Sequence, residues 1–574
     1  MKIIKALLIH ILFVASVALL VYGSHVTVVV FSEEDVFGLA GKLDISLWIG
    51  LASIMASLLL LIFDSEHSRY EKLFLLEACL LAVYLYAIPV FVEENIRFPD
   101  TWAHSGGSLS LLTYGRYNQP LHVYAREYPG VFMFQSIAFL ITGIKPVILM
   151  KYYPILFSVM LVLSAYILFR RLIRGRRMVY LATLFFITGS VWVFPNHFCP
   201  NGFAFIWYLL FFFLIFSERS HKVGFLSILI AVAIILSHPI TSLFLVLLMS
   251  VIPLGLVLAE KTSIFEKIYI LKRRFWTLSQ VFTVFFFVSW FAWFLFNATG
   301  TFTDLANTAV LFFTSLSEYL TLGRLTERLP TTSVHHIGHT LKICYSLLYL
   351  LVSVTGTLYL LFERFGKKKK EHIYLLTLMI AWTAGCGIFG LATGFIHGGE
   401  FFERPLLYAF VPLSTLAVFS YKMKFGKVIL VSVLLIGAPF SILASYSNES
   451  FEYPPLSDSF GTTFMVSHNI TEMHNVVVGD PTSAVYYFYA LHWNLRYGSN
   501  PANSSSGTRT FLVWSQASNN FYSFYLKERT YRQMASYAAY MSWMEKYPNI
   551  TLQPGSNAIY TNGDFHLWLM MNEN

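Results

Sequence analysis

The segment EYPGVFMFQSIAFLITGIK, Glu127 to Lys145, decides how this chain is threaded. It is apolar, and roughly 20 residues suffice for a helix to cross the ~30 Å hydrocarbon layer of a bilayer. Counted as a crossing, it would carry the next basic segment, FRRLIRGRR (169–177), to the side opposite Lys2 and Lys5. Laid along the membrane surface as a juxtamembrane helix or shallow re-entrant segment, it leaves all the basic clusters together. FRRLIRGRR, KIYILKRRF (267–275), GKKKK (366–370) and YKMKFGK (421–427) then share the side of Lys2 and Lys5. The positive-inside rule makes that side cytoplasmic.

Composition agrees with a membrane setting. Of 574 residues 56% are hydrophobic and only 12% charged, with 54 Phe and 34 Tyr, whereas a soluble domain carries nearer a quarter charged residues. The formal charge of +9 resides in short clusters between apolar runs. It forms no basic stripe for a phosphate backbone, so a nucleic-acid partner is not expected. Cys79, Cys199, Cys344 and Cys386 form neither a disulfide framework nor a zinc-knuckle pair.

The amino terminus, MKIIKALLIHILFVASVALLVYG, has two lysines before an apolar stretch of spanning length and no clear small-x-small cleavage site. It reads as a signal anchor, with a cleaved signal as the alternative. Apolar windows predict about thirteen spans, near 4–30, 45–63, 73–92, 147–169, 178–194, 202–216, 223–236, 241–258, 276–297, 341–362, 373–395, 405–421 and 427–444. An odd number sends the carboxyl terminus outside. Asn-x-Ser/Thr sequons begin at Asn297, Asn448, Asn469, Asn503 and Asn549, all on the side so assigned to the exterior, where Asn glycosylation requires them.

The expected organisation is a multi-span domain, 1–445, with outer loops 93–146, 298–340 and 396–404, followed by a small extracytoplasmic α/β domain, 446–574. In the latter, NVVVGD, TRTFLVWS, NAIYT and FHLWLMM read as strands, the last two joined across an Asn-Gly turn, and residues 521–547 have helical spacing. With no G-x-S-x-G elbow, P-loop or HExxH, this domain reads as a recognition or support module.

Chemistry is therefore sought at the outer membrane surface. RFPDTWAHSGGSL (97–109) places Asp100 and His104 four residues apart, on one face of a helix. An acidic residue at the end of a span is solvated, paired or kept for function; the structural alternative for Asp100 is a helix cap. Gly106 and Gly107 would allow backbone to approach a ligand, or serve as turn punctuation. A second polar concentration, FIHGGEFFERPLLYAF (395–410), supplies His397, Glu400, Glu403 and Arg404. Arg404 breaks the positive-inside pattern, so a partner is expected: a phosphate, which a guanidinium grips with paired donors, or an intraprotein bridge to Glu400 or Glu403. His197, His238, His335, His336 and His339 also fall on the outer side. They suit interfacial hydrogen bonding, with metal binding as the alternative.

An acidic residue in the first large outer loop, followed some 30 residues later by the Tyr-Pro of EYPGVFMFQSIAFLITG, resembles the GT-C superfamily of integral membrane glycosyltransferases. The many spans and the carboxyl-terminal outer domain look similar to its archaeal and bacterial members. Two features depart from the pattern: a pair of extra spans precedes the loop, and the WWDYG signature of oligosaccharyltransferases is absent. The resemblance implies a sugar donor carried on a polyprenyl phosphate, an acceptor that is a glycan or protein, an active site at the outer face, and inversion at the anomeric carbon. It makes Asp100 the base, with His104 orienting it or binding phosphate, and Arg404 the stabiliser of the leaving phosphate. Glu400, Glu403, His397 and Tyr128 are the further substrate-binding candidates, and Glu400, Glu403, Glu33, Glu34 and Asp35 are reserve bases. No cofactor is certain, a divalent metal being the one left open. Alternatives are a transporter or flippase of lipid-linked saccharides, an oligosaccharyltransferase-like enzyme, and a noncatalytic scaffold; no internal repeat speaks for transport.

Overall fold

The structure, a computed structural model, describes residues 2–29, 37–64, 67–115, 123–189, 197–217, 220–261, 269–314, 336–367, 370–397 and 399–447, with Phe460, Phe464 and five strands beyond. The first half comprises α1 (Lys2–Val26), α2 (Gly38–Lys42), α3 (Ile45–Ile62), α4 (Glu71–Tyr86), α5 (Ile88–Val92), α6 (Pro99–Tyr114), α7 (Val123–Glu127), α8 (Gly130–Thr142), α9 (Pro146–Leu172) and α10 (Arg176–Gly189). It continues through α11 (Pro200–Ile215), α12 (His221–Ser237), α13 (Pro239–Lys261), α14 (Tyr269–Phe296), α15 (Thr299–Thr314), α16 (His336–Lys367), α17 (Lys370–His397), α18 (Gly399–Ala417) and α19 (Lys424–Ser445).

Among the described residues seven helices are long and apolar enough to cross a membrane, within α1, α3, α9, α13, α16, α17 and α19, which makes this a multi-pass membrane protein. The other six expected spans also coincide with helices, but of a different kind. The window 73–92 is divided into α4 and α5 at Ala87, α10 to α12 have 14, 16 and 17 residues, α14 bends by 96° into α15, and the window 405–421 falls largely in α18, which carries Pro405 and Pro412 inside it. Sixteen residues of helix reach only about 24 Å. Among the described residues seven helices, or eight with the bent pair joined, meet the criterion of length and apolarity, against the thirteen spans expected.

Side-chain contacts show which helix ends lie together. Lys5 pairs with Asp64 at 3.0 Å, and Arg177 donates to the carbonyls of Ile62 and Asp64 at 3.0 Å. Glu71 receives Arg170 at 2.6 Å, and Lys427 lies 5.1 Å from the Phe63 ring centre. The basic segments 169–177 and 421–427 and the start of α1 therefore share one end of the bundle. At the opposite end Asp44 N–H donates to Thr27 at 3.2 Å, Ala40 N–H to the Tyr446 carbonyl at 3.1 Å, and Lys151 to the Glu94 carbonyl at 3.0 Å. The helix α8, 13 residues between Pro129 and an αL Gly143, reaches only about 20 Å, and its chain returns to the end it left.

The core is centred on α10, in which every residue from Met178 to Gly189 is buried. A helix apolar on all sides belongs inside a bundle. Tyr349 fastens it by donating to the Phe185 carbonyl at 2.9 Å, and Tyr86 donates to the Ile187 carbonyl. Where α16 crosses α18, a Cβ at Gly356 would run into the Leu416 carbonyl, so only glycine permits the approach.

In the carboxyl-terminal part, β1 (Asn475–Val478), β2 (Arg496–Tyr497), β3 (Arg509–Ser515), β4 (Ser556–Thr561) and β5 (Phe565–Met570) form one sheet in the order β2-β1-β3-β5-β4. β1 runs parallel to β2 and β3, while β5 is antiparallel to β3 and β4. The helix expected over 521–547 and the sequons at 448, 469, 503 and 549 lie outside the described residues.

Candidate active site

The loop from Glu93 to Phe98 connects α5 to α6 and is held from below by a buried ion pair. Arg97 Nε lies 3.0 Å from both Glu93 oxygens, with Glu93 3% and Arg97 4% exposed. Burial pushes the Glu93 carboxyl above its ordinary range, against the opposing pull of Arg97 and then Lys151. The guanidinium also lies 5.4 Å from the Tyr446 ring centre and 5.7 Å from that of Phe98, tying the loop to the end of α19. For a buried charge pair the desolvation of both ions offsets much of their attraction.

Phe98 adopts φ +69°, the single positive φ at a non-glycine among the described residues. An aromatic side chain there is strained, and such strain persists only where surroundings enforce it. Here the buried ring packs on the His197 ring with centres 4.6 Å apart. Pro99 follows at the first helical position, where its missing N–H costs no bond. Asp100 thus stands inside the first turn of α6, exposed, while the cap position is taken by Phe98 without a side-chain bond. The structure replaces the cap reading of Asp100 with a carboxylate near the positive end of the helix dipole.

His104, one turn on, is half-buried, its ring 5.8 Å from that of Phe132 and 6.1 Å from that of Tyr124. His197, 6% exposed, is held down to about 4 by burial, partly offset by the charge of Asp100 and reinforced by that of His104. Asp100, His104 and His197 therefore form one electrostatic group, with His197 a neutral imidazole at physiological pH. The helix beneath is fixed: Ser105 donates to Gln135 at 3.1 Å, Gln135 to the Pro146 carbonyl at 3.0 Å, and Ser136 to the Ser108 carbonyl at 3.0 Å. Gly107 serves this packing, since a Cβ there would lie 3.0 Å from Phe132; it is neither a turn nor an opening for ligand.

Tyr128 is 1% exposed, its ring 5.4 Å from Tyr124 and its hydroxyl pushed up by burial. It belongs to the support of the site rather than its surface. The carboxylate of its neighbour Glu127 accepts from Gly300 N at 2.7 Å, Thr301 N at 3.0 Å and Thr301 Oγ1 at 2.6 Å. Glu127 thereby satisfies the amino-terminal N–H groups of α15 just past the 96° bend. Exposed Asn297 lies at that bend.

The second polar concentration is described in backbone only. His397 ends α17, and Glu400, Glu403 and Arg404 occupy the first turns of α18; their side chains, and those of His336 and His339, lie outside the described residues, as do Glu33, Glu34, Asp35 and His335. One turn beyond Arg404, Tyr408 bonds Thr241 at 2.6 Å, and Thr241 bonds His238 Nδ1 at 2.9 Å. His238 is thus a buried hydrogen-bonding residue. No group of three His, Cys, Asp or Glu among the described residues is arranged to hold a metal ion.

Sequence reasoning missed Glu93, Arg97 and Lys151. The signal was present: Arg97 and Lys151 are basic residues at the end of the bundle away from the basic clusters, the same exception that drew notice to Arg404.

No family model and no curated protein matches the sequence. Among solved structures the chain is similar to the oligosaccharyltransferase of Archaeoglobus fulgidus tethered with an acceptor peptide, at 13% identity and TM-score 0.49 over 89% of this chain and 75% of that one. It is also similar to ArnT from Cupriavidus metallidurans bound to undecaprenyl phosphate, at 11% identity and TM-score 0.48 over 88% of this chain and 98% of that one. The apo state of that ArnT gives 10% identity and TM-score 0.38.

Proposed function

We propose that this protein is a membrane glycosyltransferase that moves a sugar from a polyprenyl-phosphate donor to a glycan or protein acceptor at the outer face, with inversion. The observation that carries this reading is Asp100: an exposed carboxylate on the first turn of a rigidly held helix, preceded by a strained Phe98 and backed by a neutral His197. It stands at the bundle end opposite the basic clusters, which the positive-inside rule makes the exterior. Asp100 accepts the proton of an acceptor hydroxyl as that oxygen bonds to the anomeric carbon. The bond from that carbon to the lipid phosphate breaks, its electron pair leaves with the phosphate, and Arg404 stabilises the developing charge. A single displacement inverts the centre.

A labelled polyprenyl-phosphate sugar, incubated with the purified chain and an acceptor panel, should yield free polyprenyl phosphate and a glycosylated acceptor. Movement of intact labelled donor across a vesicle membrane, with no bond broken, would instead assign a flippase.

A further inference from the structure

The helices α1 and α3, the extra pair of spans ahead of the first outer loop, pack on α4, which reaches α1 through α3 at two places. α1 buries a single stripe, Ile9, Ser16, Leu20 and Gly23, so these two contacts matter to its attachment. At the first, the Tyr84 hydroxyl passes over Gly50 of α3, where a Cβ would run into it, and donates to the Ser16 carbonyl at 2.7 Å. At the second, the Ser57 hydroxyl of α3 lies 2.8 Å from Glu77 Oε1 and 3.1 Å from the Ile9 carbonyl. Ser57 and Glu77 are fully buried, and Glu77 Oε2 has no hydrogen-bond partner among the described residues.

The two contacts of Ser57 fix a proton count. A hydroxyl has one hydrogen, and an ionised carboxylate and a carbonyl only accept. With Glu77 ionised, one of the two contacts therefore has no proton. With Glu77 protonated, the acid donates to Ser57 Oγ, which donates onward to the Ile9 carbonyl, and both contacts are made. The cations of the surrounding helices are engaged elsewhere: Lys5 of α1 pairs with Asp64 at 3.0 Å, Arg170 of α9 with Glu71 at 2.6 Å, and Arg177 of α10 donates to the carbonyls of Ile62 and Asp64. The remaining titratable groups are similarly spent, Tyr166 on Glu71 at 2.6 Å and exposed His10 on the Ala6 carbonyl at 2.7 Å.

We propose that Glu77 is a proton-binding site among the spans, and that its proton is the clasp that docks α1 on α3 and α4. A charge without a counter-ion is expensive in a membrane interior, and a buried acid is retained there for a purpose. Undocking α1 takes away the Ile9 carbonyl that ends the chain, and loss of the proton strands the carboxylate. Docking and proton retention therefore favour one another. Glu77 lies six residues, about 9 Å, along α4 from Glu71 at the basic end, which makes the cytoplasm the nearer source of the proton. This inference stands apart from the transferase reading.

The test uses the full-length chain in lipid nanodiscs at neutral pH and needs no turnover. The infrared spectrum of the wild type minus that of Glu77→Gln should carry the carbonyl stretch of a protonated carboxylic acid; carboxylate bands in its place overturn the proton site. Docking is read separately, from the rate at which a lipid-soluble maleimide labels Ser16→Cys, on the buried stripe of α1, in a background without other reactive thiols. Gln has nearly the volume of Glu and donates an N–H to Ser57 in place of the acid proton, so Glu77→Gln should leave that rate unchanged. Glu77→Leu and Ser57→Ala each break the chain and should raise it severalfold, the scale of one lost buried hydrogen bond. Unraised rates in both of these variants overturn the clasp. A rise in Glu77→Gln equal to that in Glu77→Leu would mean that charge holds α1, and overturns the proton's part in docking.

Discussion

The Lys151 ammonium meets the Glu94 carbonyl at 3.0 Å across 57 positions of sequence. This contact joins the two roots of the loop 93–146, so α6 to α8 leave and rejoin the bundle at one end. Cysteines placed at Glu94 and Gly143, in a background without reactive thiols, should be labelled from the same side of a sealed vesicle, and one at Arg174 from the other. Labelling of Gly143 from the side of Arg174 would mean that α8 crosses the membrane.

Asp100 is at the second helical position, with the cap supplied by backbone at Phe98. Asp100→Asn therefore removes only the interaction of a charge with the helix dipole, about 0.3–1 kcal/mol. Turnover should fall by a hundredfold or more, the scale of a lost general base, while the thermal midpoint and donor binding stay near those of the wild type. Full activity in the Asn variant would move the base elsewhere, to Glu400 or Glu403.

Helix positions were legible because bilayer-facing helices are apolar over long windows, and Lys5, Arg177 and Lys427 announced which ends meet. Spanning length was less legible: α10 is buried on every side, and the sequence of a helix packed wholly in protein resembles that of a short span. Asp100 and His104 could be paired from their spacing of four. His197 could not be assigned to them, because nothing local in PNHFCPNG reports that Phe98 bends back to cover its ring. The Glu93–Arg97 pair has the same spacing, yet only burial, which periodicity does not report in a loop, separates it from an exposed surface bridge.

His197 gives the protein a pH dependence of known sign. Its folded value is depressed from the ordinary 6.5 to about 4, so the unfolded chain binds the proton more readily. Its contribution to stability is fully present above about pH 6.5 and is lost as pH falls toward 4. The thermal midpoint should decline over that window, and His197→Gln should flatten the decline. An identical pH profile in the Gln variant would assign the acid sensitivity to other groups.

The elbow between α14 and α15 depends on Glu127. Glu127→Ala leaves Gly300 N and Thr301 N without their acceptor and should destabilise the protein by about 2–4 kcal/mol, on the usual scale for losing bonds to a charged group. Glu127→Gln retains one acceptor oxygen and should recover part of this. Thr301→Val removes one of the three bonds, and the double variant Glu127→Ala with Thr301→Val should cost less than the sum, since both changes break the same interaction. Additive losses would show that the two side chains act independently.

The ion pair beneath the loop offers the sharpest separation of stability from positioning. Arg97→Met strands a buried Glu93 carboxylate, and Glu93→Gln leaves a buried guanidinium without its counter-charge; each should destabilise by about 3–5 kcal/mol. The double change removes both charges together and should restore most of that loss, because the desolvation of each ion disappears with it. Restored stability need not restore turnover. Arg97 also holds the rings of Phe98 and Tyr446, and through Phe98 it sets where α6 begins and where Asp100 stands. If this positioning matters, the doubly substituted protein will unfold near the wild-type temperature yet turn over at least about tenfold more slowly, with the loss in kcat and little change in donor binding. Wild-type kcat in a stable double variant would reduce the pair to a structural contact and leave the geometry of Asp100 to Pro99 and His197 alone.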